Sequence, residues 1–96
     1  MFEGTDRIWM DGEFVDFEDA NVHVLTHALH YGTGVFEGVR CHDTEQGPAI
    51  FRWEEHLDRL YASAKPYDLD IEFTKEELTD ATVELIRSEG FESCYI

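Results

Sequence analysis

The stretch 30–38, "HYGTGVFEG", gathers three glycines and two aromatics between two hydrophobic runs. Such a stretch can cradle a phosphate, turn the chain or wall a substrate pocket. A dinucleotide loop needs G-x-G-x-x-G between a strand and a helix, so that backbone amides meet a pyrophosphate. Gly32 and Gly34 fit, but the third place is Glu37 and the next glycine is Gly38. A carboxylate there repels a phosphate. The P-loop is excluded too, because no Gly-Lys-Ser/Thr follows. A turn and a pocket wall remain. Gly38 lies between Phe36 and Arg40 on one strand face, where a glycine marks either a close approach or a bulge. Spacing alone leaves both open.

A second candidate lies downstream. Arg52, His56, Arg59 and Ser63 recur at i, i+4, i+7 and i+11 of a predicted helix, giving one polar face able to meet a phosphate. The residues alone favour a plainer arrangement, a surface pair between Glu55 and Arg59 at i,i+4. His23, His27 and His30 are spaced H-x3-H-x2-H, but His23 falls in an extended segment and zinc needs a further ligand. Ordinary hydrogen-bonded histidines and no metal are expected. Lys65 precedes a proline and Lys75 sits in an acidic helical turn, where a lysine is exposed and protonated. No Ser-His-Asp or Cys-His arrangement has supporting context.

The elements that must position these residues read as follows. "RIWMDGEFVDF" is a hairpin turning at Asp11-Gly12, with Trp9 facing Phe14 and Ile8 facing Val15. "NVHVL" is extended, and Thr26 caps a helical turn through Tyr31 that Gly32 ends. "VFEGVRC" alternates as a strand, placing Val35, Glu37, Val39 and Cys41 on one face and Phe36, Gly38 and Arg40 on the other. Residues 41–48 read as a turn and 49–51 as a returning strand. A helix over 52–65 buries Trp53, Leu57, Leu60, Tyr61 and Ala64, and Pro66 stops it. A second helix opens with a capping box at Thr74 and Glu77 and closes at Gly90, its inward side formed by Leu78, Ala81, Thr82, Leu85 and Ile86. "FESCYI" begins a further strand.

Ninety-six residues make one domain, 1–96, with a modest core. A net charge of −15 argues against nucleic acid or anionic membranes as partners. The acids are interspersed with periodic hydrophobics, which predicts a folded domain with a strongly hydrated acidic surface, as suits a salt-rich cytoplasm and a halophilic source. No apolar run reaches the length of a membrane span, so a cytoplasmic location is expected. Cys41 and Cys94 match no metal or redox spacing and read as reduced small hydrophobes.

The run from Ile8 to Ile96, most specifically "THALHYGTGVFEGVR" and "FRWEEHLDRLYASAK", resembles the N-terminal region of branched-chain amino acid aminotransferases, the class IV (fold type IV) pyridoxal-phosphate enzymes. D-amino acid aminotransferase and aminodeoxychorismate lyase share a looser form of the first block.

The resemblance implies a small α+β domain with a largely antiparallel sheet and two main helices. It implies pyridoxal 5'-phosphate as cofactor, and branched-chain amino acids and 2-oxo acids as substrates. Arg59 matches the arginine that holds the cofactor phosphate. Phe36 matches a ring lining the pocket for the branched side chain, and Gly38 the small residue beside it. Tyr95 matches a tyrosine near the substrate carboxylate, and Tyr31 one that reaches the partner subunit's pocket, so at least a homodimer is expected. The family's cofactor lysine and second domain have no counterpart in the 96 residues, and the arginine that follows Tyr-Ile is absent. The expectation is an N-terminal fragment, inactive alone and with no catalytic residue of its own. The rival from another class is an acidic dimerisation module without catalysis.

Overall fold

Asp11 and Gly12 take φ of 53° and 92°, the paired positive values that a two-residue hairpin requires to match strand twist. The computed structural model describes residues 4–96. Around this turn β1 (Arg7–Met10) pairs antiparallel with β2 (Glu13–Asp16), with Ile8 opposite Val15 and Trp9 opposite Phe14, as expected. A Cβ on Gly12 would stand 3.0 Å from the Phe73 ring, so the turn also needs glycine for close packing. The Trp9 ring meets Phe73 edge-on with centroids 4.9 Å apart.

Residues 20–38 run mostly exposed. The expected extended run at 21–25 bends instead: Val24 and Leu25 form a turn closed by the Thr26 N–H on the His23 carbonyl, 2.9 Å. Helix α1 (His27–Tyr31) follows and ends at Gly32, φ 66°. Thr26 holds the N-cap position without capping, because its hydroxyl donates back to the His23 carbonyl at 2.6 Å.

Strand β3 (Arg40–Thr44) is shorter at its start and longer at its end than the sequence suggests. It turns at Glu45-Gln46 into β4 (Gly47–Ile50), Thr44 opposite Gly47, so the expected 41–48 turn is a tight hairpin. Antiparallel pairing extends β3 through His42, Asp43 and Thr44 and starts β4 at Gly47 and Pro48, residues that carry no strand signal. On the other edge of β3, β5 (Cys94–Tyr95) pairs Arg40 with Tyr95 and Cys41 with Cys94. Val39 and Ile96 exchange both backbone hydrogen bonds, 2.9 and 2.7 Å. The sheets, β1-β2 and β4-β3-β5, are separate.

Two helices cover the second sheet. Helix α2 (Trp53–Ala64) buries Leu57 and Ala64, and α3 (Lys75–Glu89) buries Ala81 and Ile86. The Trp53 indole N–H joins them by donating to Thr79 Oγ1 at 2.8 Å. Val39 and Cys41 complete the buried set among the described residues. Both cysteines are free thiols, and burial pushes the Cys94 thiol up, with its neighbour Cys41 adding to the effect. Sequence separation concealed that these two face each other across strands.

The capping box forms as expected: Thr74 Oγ1 accepts from the Glu77 N–H at 3.1 Å, and Glu77 Oε1 accepts from the Thr74 N–H at 3.2 Å. At the other end of α3, Glu89 accepts the N–H groups of Asp6 and Arg7 at 3.1 and 3.0 Å, fastening β1 to the helix. Thr74→Ala should cost about 1 kcal/mol of stability, read as a lowered urea midpoint with an unchanged slope; an unchanged midpoint would show that the cap contributes nothing.

Candidate functional site

Backbone alternation through residues 35–41 organises the site. Val39 and Cys41 are buried and Val35 and Glu37 are partly so, while Phe36 and Arg40 are exposed. The faces are those the sequence predicts, although residues 35–39 lie outside the regular strand. Glu37 therefore points its carboxylate inward. The hollow it enters is lined by Val39, Trp53, His56, Leu57, Leu60 and Ile96.

A carboxylate there needs partners, and α2 supplies two. Arg59 Nε donates to Glu37 Oε2 at 2.7 Å, and Arg59 Nη2 donates to Oε1 at 2.6 Å. His56 Nδ1 lies 2.8 Å from the same Oε1. The Arg59 hydrogen bonds, then that of His56, hold the Glu37 carboxyl well below the ordinary carboxylate range, at about 2. Glu37 in turn raises the Arg59 pKa. The expected surface pair of Arg59 with Glu55 is replaced by this longer-range one: a half-buried carboxylate offers a bidentate seat that an exposed neighbour one turn away does not. Arg52, Glu55, His56 and Arg59 line one shallow hollow; Ser63, placed on the same face by spacing, is not among them.

The outward face carries the other candidates. Tyr95 stands opposite Arg40 and so reaches diagonally to Gly38. A Cβ on Gly38 would lie 2.9 Å from Tyr95 Cζ. That settles the alternatives at Gly38: the glycine permits a close approach of the Tyr95 ring. Phe36 is 84% exposed and Tyr95 70%. Tyr31 is held within α1, its ring centroid 4.4 Å from that of His27. The structure thus brings Gly38 and Tyr95 together, places Phe36 on their face, and joins Arg59 to the same stretch through Glu37.

The histidines of the H-x3-H-x2-H run each make a separate local bond. His23 Nδ1 accepts from the Leu25 N–H at 2.9 Å, His27 Nδ1 lies 2.6 Å from Thr33 Oγ1, and His30 Nε2 lies 2.7 Å from the Val24 carbonyl. Among the described residues no group of three or more potential ligands could hold a metal ion. Lys75 pairs with Asp58 at 2.7 Å.

Sequence reasoning set His56 on the polar face with Arg59 but missed Glu37 as the residue both of them meet. The available signal was a carboxylate at an inward position of an alternating run, which demands a cation from the facing helix.

The family described as "Amino-transferase class IV" matches residues 34–96. Over 92 residues the chain is 50% identical to the branched-chain-amino-acid aminotransferase of Escherichia coli (strain K12), covering 96% of this chain and 30% of that protein. The crystal structure of an Escherichia coli branched-chain amino acid aminotransferase superposes with a TM-score of 0.92 at 49% identity, over 96% of this chain and 30% of the other. The branched-chain amino acid aminotransferase from Thermobaculum terrenum, in its PLP form, gives a TM-score of 0.83 at 30% identity, over 98% of this chain and 32% of the other. The chain therefore spans about 30% of the length of the curated relatives it matches.

Glu37 has a folded pKa below its unfolded one, so its contribution to stability is complete above the ordinary value of 4.5 and fades as pH falls towards 2. Glu37→Gln should lower the urea midpoint at pH 7, and the difference from wild type should shrink steadily between about pH 5 and pH 2. A difference that stays constant over that range would contradict an ionised, paired Glu37.

Proposed function

This chain belongs to the class IV amino-transferase family, and on that premise we propose that it is the N-terminal small domain of a branched-chain amino acid aminotransferase. The reaction exchanges an amino group between leucine, isoleucine or valine and 2-oxoglutarate. The observation that carries the reading is Arg59, whose side chain is 66% exposed while one edge of its guanidinium is seated on Glu37, the residue between Phe36 and Gly38 of the apolar wall.

These residues suit pyridoxal 5'-phosphate. Arg59 uses two of its five N–H donors on Glu37, which leaves a planar edge matched to a phosphate dianion. Arg52 adds a second cation to the same hollow. When bound, the cofactor supplies the electron sink for amino-group transfer. The chain's own side chains bind and orient. Phe36 gives an apolar face to the branched side chain, Gly38 leaves room for the Tyr95 ring beside it, and the Tyr95 hydroxyl receives a substrate carboxylate. The site must accept both an apolar side chain and a second carboxylate, and a wall of Phe36 with polar groups at its rim meets both demands.

Tyr31, 73% exposed together with Leu25 and Leu29, reaches the pocket of a second subunit in a homodimer. Among the described residues no helix is long and apolar enough to cross a membrane, and the proposed setting is the cytoplasm of a halophile. Every described aspartate and glutamate except Glu37 and Glu89 is exposed, so the surplus charge sits where bulk cations screen it.

The test uses the complete gene product from its source. Borohydride reduction followed by intact-mass measurement should find a covalently attached pyridoxyl group, and the protein should form glutamate from leucine and 2-oxoglutarate. A protein that carries no pyridoxyl group and transfers no amino group overturns the reading and favours the acidic dimerisation module. For the halophilic setting, thermal unfolding should shift upward between low and molar potassium chloride; equal stability in both would refute it.

A further inference from the structure

We propose that Glu37 is a positioning residue for the phosphate site: its carboxylate, braced by His56, holds one edge of the Arg59 guanidinium so that the opposite edge faces a phosphate group. The inference rests on the reading of Arg59 given above and adds two residues to it.

A long arginine on a helix surface samples many rotamers, and a phosphate that binds it must freeze them. Glu37 freezes them beforehand. Its carboxylate side chain is 11% exposed against 66% for Arg59, so the fixed end of the pair lies inside the domain and the free end at the rim. Both carboxylate oxygens are used, Oε2 by Nε and Oε1 by Nη2. This two-point contact sets the plane of the guanidinium as well as its place. His56 shares Oε1 at 2.8 Å and keeps the carboxylate from rotating with its partner. Exposed ion pairs hold little orientation; here one member is rooted in a hollow with Val39, Leu57 and Leu60. The helix offered Arg59 a nearer acid, Glu55, which lines the same outer hollow. Pairing there would draw the arginine along the helix surface, whereas Glu37 takes Nε and Nη2 and does not engage Nη1.

The opposite outcome has a definite physical basis. A carboxylate on the phosphate-binding arginine also competes with the phosphate for that cation. The sign of the effect of removing it therefore decides between positioning and competition.

The experiment compares the complete wild-type gene product, stripped of cofactor, with Glu37→Gln, Arg59→Ala and the double variant, measuring equilibrium affinity for pyridoxal 5'-phosphate and for pyridoxal, which lacks the phosphate. Glu37→Gln should weaken pyridoxal 5'-phosphate binding about tenfold, as expected when one rotamer-rich side chain must be ordered by the ligand. Pyridoxal affinity should be unchanged, and the substitution should have no further effect once Arg59 is alanine. Unchanged or tighter pyridoxal 5'-phosphate binding in Glu37→Gln, with Arg59→Ala still impaired, overturns the positioning role and leaves the phosphate reading standing. Equal losses for both ligands overturn it in favour of a general structural role. Normal binding by Arg59→Ala removes the phosphate reading itself. Should Glu37→Gln fail to fold, Glu37→Asp, which keeps the charge but retracts it by one methylene, is measured by the same titrations with the same expected order.

Discussion

The inward-outward alternation of residues 35–41 is the constraint on which the rest of the site depends. It is anchored at Val39, whose paired backbone bonds to Ile96 fix the register, and at Cys41, buried opposite Cys94. With those two inside, Glu37 points towards the helices, and Phe36, Gly38 and Arg40 cannot. A slip by one residue would send the carboxylate to solvent and the phenylalanine into the core. The ion pair to α2 and the open apolar wall are thus two faces of a single backbone arrangement.

Charge follows the same logic. The domain carries a large acidic surplus, yet the two described acids that are not fully exposed each have defined partners: Glu37 takes Arg59 and His56, and Glu89 takes two backbone N–H groups at the start of β1. One ties a helix to the inward run, the other ties a helix to the hairpin. The remaining described acids sit in water, where mutual repulsion is screened and costs the fold least.

Local chemistry was legible in the sequence wherever a short motif sufficed. The Asp11-Gly12 turn, the Thr74-Glu77 box, the Gly32 and Gly90 helix ends and the buried stripe of α2 all follow from residues within a few positions of one another. What escaped was set by distant partners. The extent of β3 and β4 depends on mutual pairing through residues without a strand signal of their own, the Cys41–Cys94 apposition on strands far apart in sequence, and the choice of Glu37 over Glu55 on burial that spacing does not reveal. Gly38 was readable as a marked position, but whether it served a bend or an approach turned on Tyr95, which lies near the far end of the chain. The resemblance pointed to Arg59 without naming what holds it.

Gly38 matters through what it omits, since a methyl group there would meet the Tyr95 ring. The position of the Tyr95 ring on this face is therefore set by the same missing carbon. Evolution cannot narrow this face by a change at position 38 alone without also displacing the tyrosine. A side chain at position 38 must push the Tyr95 hydroxyl aside, and because Tyr95 is exposed the ring has open space to swing into.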